Sequence, residues 1–217
     1  MREERVSFYA ESVEQIRLEG ILDLPDEASL PPACILCHPH PIGGGSMHVP
    51  LLETIARVLA GSGWACLRFN FRGVGRSSGE SSGGLRETED VEGAYQSLRE
   101  RGDLNAEDLA LAGWSFGAWV GLRWAVQGGR CRKVVLVSPP MMGFDFLGFL
   151  DSGEVVLPED SLIVCGERDQ FSDRARLEDL AARIGADLRL LPGADHFLFG
   201  RELEVAEIIA DHWSSVQ

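Results

Sequence analysis

The sequence predicts an α/β fold, a sheet of about eight mostly parallel strands with helices on both faces. Three observations predict it: short apolar runs rich in β-branched residues recur along the chain, segments of helical period separate the later runs, and the first two runs follow one another with no helix between them. Alternating β and α units build a parallel sheet whose crossovers cover both faces, and an initial pair joined by a short connection makes a hairpin at one edge.

The runs place strands near 5–9, 16–24, 33–37, 64–69, 108–113, 133–137, 161–165 and 187–191. Glu80 to Asp108 holds much of the negative charge and reads as a surface helix with its flanks. Asp108-Leu109-Ala110-Leu111-Ala112 reads as a buried strand and Ala118 to Val126 as the helix after it. A helix is expected over 173–184, where Ser172 can cap the N-terminus, Leu177, Leu180, Ala181 and Ile184 fall at i, i+3, i+4 and i+7, and Gly185 closes it. Val205, Ile208, Ile209, His212 and Trp213 give the last helix the same stripe. One segment departs from the alternation. From Pro139 to Leu150 the apolar density is too high for a solvated loop, so an insertion at about 139–157 is expected to cover something. At ~150 residues per domain, residues 1–217 are expected to form a single domain.

Charge and composition exclude several classes. The chain has 34 acidic residues against 20 Lys and Arg, a formal charge of −14, and no basic block. It therefore lacks the cationic stripe that binds nucleic acid or an anionic membrane surface. Met1-Arg2-Glu3-Glu4-Arg5 is charged and has no apolar stretch behind it, and no apolar run approaches the ~20 residues that span a bilayer. A soluble, cytoplasmic protein is expected. Cys34, Cys37, Cys66, Cys131 and Cys165 are odd in number, and four lie in or beside strand-like runs, which suits small buried hydrophobes. Cys34 and Cys37 spell C-x-x-C, but three residues apart on a strand they face opposite ways. The one excess is glycine, 25 of 217 residues, and many of these fall on or beside loops assigned to one face of the sheet.

Gly113-Trp114-Ser115-Phe116-Gly117 fits G-x-S-x-G and stands between an expected strand and an expected helix. In that setting the serine occupies a strained elbow, and the N–H of Phe116 lies at a helix N-terminus, where orphan donors favour developing negative charge. A serine hydroxyl needs a base and a group that orients the base. His196, in the turn-like Pro192-Gly193-Ala194-Asp195-His196-Phe197 after the last strand, is the best-placed base, whereas His212 lies inside the final helix. The orienting acid is expected in Gly166-Glu167-Arg168-Asp169. Asp169 is preferred, with Glu167 the local competitor and Asp145 the distant one, and Asp195 shapes its own turn.

A second oxyanion donor is expected from Cys37-His38-Pro39-His40-Pro41-Ile42-Gly43-Gly44-Gly45. Pro39 and Pro41 have no N–H to give, which leaves that of His40, and both prolines stiffen the loop. His38, His40 and His48 lack the carboxylate or cysteine spacing of a metal site, and the glycine run lacks the G-K-[ST] of a phosphate loop. Gly73-Val74-Gly75 lacks the third glycine of a dinucleotide fingerprint and reads as a structural turn. No cofactor or metal is expected.

With serine, acid and histidine in that chain order on strand-end loops, the sequence resembles the α/β-hydrolase superfamily over nearly its whole length. More narrowly, His38-Pro39-His40-Pro41 with Gly44, Gly45 and Met47, then Asn70-Phe71-Arg72-Gly73-Val74-Gly75, then the G-x-S-x-G, is similar to small bacterial serine hydrolases without a large cap, akin to dienelactone-hydrolase-like esterases. The resemblance implies an eight-stranded sheet with its second strand antiparallel, no cofactor, hydrolysis of small esters, Ser115, Asp169 and His196 as a triad, and the amides of His40 and Phe116 as the oxyanion hole. Val49 stands where the resemblance implies an asparagine. Dienelactone hydrolases proper use cysteine as nucleophile, so their lactone substrate is not carried over.

The function expected is a serine hydrolase acting on a small-molecule ester through an acyl-enzyme. Met141, Met142, Phe144, Phe146 and Phe149 are expected to wall a shallow apolar pocket suited to an uncharged short or medium acyl ester. A serine peptidase, amidase or thioesterase would use the same machinery, and a non-catalytic binding protein of this fold is the remaining alternative. Edge strands and the apolar insertion leave room for a homodimer.

Overall fold

The computed structural model describes residues 1–26, 28–128 and 131–214. Eight strands form one sheet: β1 (Arg2–Tyr9), β2 (Arg17–Leu24), β3 (Pro32–Cys37), β4 (Ala65–Phe69), β5 (Asn105–Trp114), β6 (Lys133–Val137), β7 (Asp160–Gly166) and β8 (Asp187–Leu191). Their order is β1-β2-β4-β3-β5-β6-β7-β8. β2 runs antiparallel to both β1 and β4, and the remaining pairs are parallel. Every strand lies where the hydrophobic pattern places it. β5 starts earlier than 108 because Asn105 still pairs with Pro32 across an irregularity in the ladder.

Among the described residues six α-helices cover the sheet: α1 (Pro50–Gly61), α2 (Glu87–Arg99), α3 (Phe116–Val126), α4 (Phe146–Asp151), α5 (Arg174–Ile184) and α6 (Glu202–Ser214). Proline at the first position of α1 suits an N–H with no intrahelical acceptor, and Leu51, Leu52, Ile55, Ala56 and Leu59 bury one stripe. The cap of α5 is Asp173, whose carboxylate accepts from the N–H of Arg176, and not Ser172. The Ser172 hydroxyl instead donates to the Pro139 carbonyl at 2.7 Å, tying the start of α5 to the insertion.

Alternate strand residues feed two cores on opposite faces. Ile35, Leu111, Val134 and Ile163 pack under α2, α3 and α5, while Leu36, Ala112, Val135 and Val164 pack under α1 and α6. Cys37 joins the first core and Cys34 the second, as strand alternation requires. The insertion carries α4, and Trp119 of α3 receives Phe144, Phe146 and Phe149 at ring-centroid distances of 5.5, 5.1 and 5.8 Å. Buried Arg72, in the loop after β4, donates from Nε and Nη2 to Asp90 of α2, whose carboxylate also accepts the Arg72 backbone N–H. No helix among the described residues is long and apolar enough to cross a membrane.

Candidate active site

β5 passes directly into α3 through Ser115, whose backbone stands at φ 55° and ψ −113°. A side-chain-bearing residue meets steric cost there, and the surrounding packing enforces the conformation. The turn is tight because α3 approaches β3 closely. A Cβ on Gly117 would fall 2.2 Å from the Cys37 carbonyl oxygen, so glycine is required. The Ser115 N–H donates to the Val137 carbonyl at 2.8 Å, which locks the elbow to β6.

The structure brings Ser115, His196 and Asp169 together from three strand ends. Ser115 Oγ lies 2.9 Å from His196 Nε2, and His196 Nδ1 lies 2.8 Å from Asp169 Oδ2. With Nδ1–H donating to the carboxylate, Nε2 is left to accept the serine proton. All three residues are buried. Burial pushes the Asp169 carboxyl up, but the hydrogen bond and charge of His196, the Phe171 N–H at 2.8 Å and the Cys165 thiol at 3.4 Å together hold it below the usual aspartate value. Asp169 is therefore a carboxylate. The competing acids lie elsewhere. Glu167 accepts from the Gly193 N–H, Asp195 from the Phe197 N–H, and exposed Asp145 caps α4 by accepting from the Gly148 N–H. His212 lies 2.7 Å from Asp160, at the strand-start end of the sheet.

The loop after β3 is held by His38, a residue whose place the sequence left unassigned. Its Nε2 accepts the Phe71 N–H at 3.1 Å and its Nδ1 donates to the Pro39 carbonyl at 2.7 Å. Burial lowers its pKa to about 4, so the ring is neutral and both nitrogens serve the backbone. The His40 carbonyl accepts from the N–H groups of Gly43 and Gly45, and the His40 ring packs on Phe116 at 4.9 Å. Phe71 supports this assembly from below, edge-on to His38 and Phe116, and the Asn70 side chain accepts the Met47 N–H. His40 and Phe116 thus border the cleft at Ser115, with Phe116 the first residue of its helix.

The cleft over Ser115 measures about 500 Å³. Met142 and Phe144 line it, but Met141 (1% exposed) and Phe146 (0%) belong to the core beneath, and Phe149 lies against Trp119 and Arg123. Only alternate parts of the insertion face the cleft because α4 turns its other residues onto α3. The sequence reading missed Phe171, Phe197 and Phe199, which also line it, together with Val49 and Pro50. The available signal was three phenylalanines within three residues of the acid and the histidine.

A sheet in this strand order, with a serine on a strained strand-to-helix turn at the C-terminal end of a central strand, defines an α/β-hydrolase fold. The chain belongs to the alpha/beta hydrolase family, whose model matches residues 34–159. An uncharacterized protein of Rickettsia prowazekii is 30% identical over 213 residues, covering 93% of this chain and 86% of that protein. Among solved structures, an α/β serine hydrolase without lid from Xanthomonas campestris superposes with a TM-score of 0.83 at 28% identity, covering 98% of this chain and 94% of the other. An α/β serine hydrolase homologue from Coxiella burnetii gives 0.82 at 28% identity, covering 97% of each chain. The fold and family support hydrolase activity, and the architecture is that of the subgroup without a large cap.

Proposed function

We propose that the protein is a serine hydrolase that cleaves small uncharged carboxylic esters through an acyl-enzyme. The observation that carries this reading is the continuous chain from Ser115 Oγ through His196 to Asp169, at 2.9 and 2.8 Å. His196 Nε2 takes the Ser115 proton as Oγ bonds to the substrate carbonyl carbon, and the Asp169 carboxylate stabilises the imidazolium that results. The tetrahedral oxyanion accepts hydrogen bonds from the N–H groups of His40 and Phe116, each worth about 2.7–4 kcal/mol in the transition state. The C–O bond to the alcohol then breaks, and the departing oxygen takes the proton from His196. Water repeats the sequence on the acyl-enzyme, restoring Ser115 and releasing the acid.

The test is hydrolysis of p-nitrophenyl acetate and butyrate by the wild type and Ser115→Ala, with p-nitroacetanilide alongside to compare ester and amide. Turnover that disappears in the variant, together with stoichiometric fluorophosphonate labelling of Ser115, supports the reading. Equal turnover by both proteins removes Ser115 as nucleophile.

A further inference from the structure

The sheet order constrains how a substrate can lie on Ser115. β3 adjoins β5 on one side, and β6, β7 and β8 follow on the other. His40, after β3, therefore stands to one side of Ser115 along the sheet, and Asp169 and His196, after β7 and β8, to the other. If the carbonyl oxygen is held toward His40 and the leaving oxygen faces His196, the two arms of the substrate are left with the directions across the sheet, one over each helical layer.

Both directions are walled by apolar side chains from different layers. On the α3 side, Phe144 packs on Phe116 and Trp119, and Met142, next to the core residue Met141, donates its N–H to the Phe171 carbonyl at 3.0 Å. On the α1 and α6 side, Val49 begins α1, and Phe197 and Phe199 stack at 5.6 Å and 12° ahead of α6. Met142 (63% exposed) and Phe199 (75%) both line the cleft, and neither is buried in the core. Among the described residues no Asp, Glu, Lys or Arg lines the cleft, so none of them compensates a charged arm.

We propose that the substrate is an uncharged ester carrying an apolar group on both its acyl and its alcohol side, with Met142 specifying one arm and Phe199 the other. This rests on the reading of Ser115 as nucleophile. Half-burial of a methylene corresponds to about a twofold gain in kcat/KM for each carbon added.

The experiment uses two series followed by acid release: ethyl acetate, butyrate and hexanoate, and ethyl, butyl and hexyl acetate. In the wild type kcat/KM rises along both series, and monoethyl adipate falls about tenfold below ethyl hexanoate. Met142→Ser flattens one series and Phe199→Ser flattens the other. A wild-type series that stays flat, two variants that flatten the same series, or equal use of monoethyl adipate overturns the proposal. Ser115-dependent turnover of p-nitrophenyl acetate alongside any of these leaves the hydrolase reading standing and sinks only the two-armed substrate. Absence of that turnover sinks both.

Discussion

His38 uses both ring nitrogens on backbone groups of two different loops, and its neutrality couples the site to pH. In the native protein its pKa is about 4, whereas an unfolded histidine titrates near ~6.5. Stability is thus full above the unfolded value and declines as pH falls toward the folded value, because only the unfolded chain takes up the proton in that window. The loss expected between pH 7 and pH 4.5 is about 2.5 kcal/mol. Urea denaturation at the two pH values measures it, and His38→Gln should remove that part of the difference. Asp169→Asn should lower kcat on the order of 10⁴-fold by favouring the wrong imidazole tautomer, with labelling of Ser115 slowed in parallel. Motif and chain order pointed to Ser115, Asp169 and His196, which the structure brings within hydrogen-bonding reach. Other residues were not legible in the sequence: the place of His38 depends on Phe71, 33 positions away, and exposed phenylalanines in loops obey no period.

At the level of elements, strands and long helices were readable because burial on one or both faces imprints a period. The six-residue α4 was not, since a helix of under two turns shows too little periodicity; its Phe146 packs on Trp119. Ser172 and Asp173 are both good capping residues, and only the backbone path selects Asp173. Two element junctions give direct predictions. Gly117→Ala forces α3 away from β3, where backbone cannot yield, and should cost about 3 kcal/mol or more by chemical denaturation. Asp90→Asn leaves the partly exposed Glu89 as the remaining countercharge of buried Arg72 and should cost about 2–3 kcal/mol by the same measurement, more than replacing an exposed ion-pair partner such as Glu178.

Across the whole molecule, the strand sequence in space could not be read from local pattern. The exchange of β3 and β4 in the order β1-β2-β4-β3 depends on which long-range ladders form, and nothing within either strand encodes its neighbour. Charge acts at this scale too. A net charge of −14 repels anionic molecules, and no Lys or Arg among the described residues lines the cleft. Raising the salt from 20 to 300 mM should therefore lift kcat/KM for monoethyl adipate about threefold and leave ethyl butyrate unchanged.

Ser115, Asp169 and His196 lie within hydrogen-bonding reach although 81 residues separate the first and last. No one segment of chain contains a working fragment of the site, because its parts ride on the ends of β5, β7 and β8 and their register is set by the complete sheet. Activity is in that sense a report on the integrity of the entire fold. Under denaturant, turnover and helical circular dichroism should vanish together.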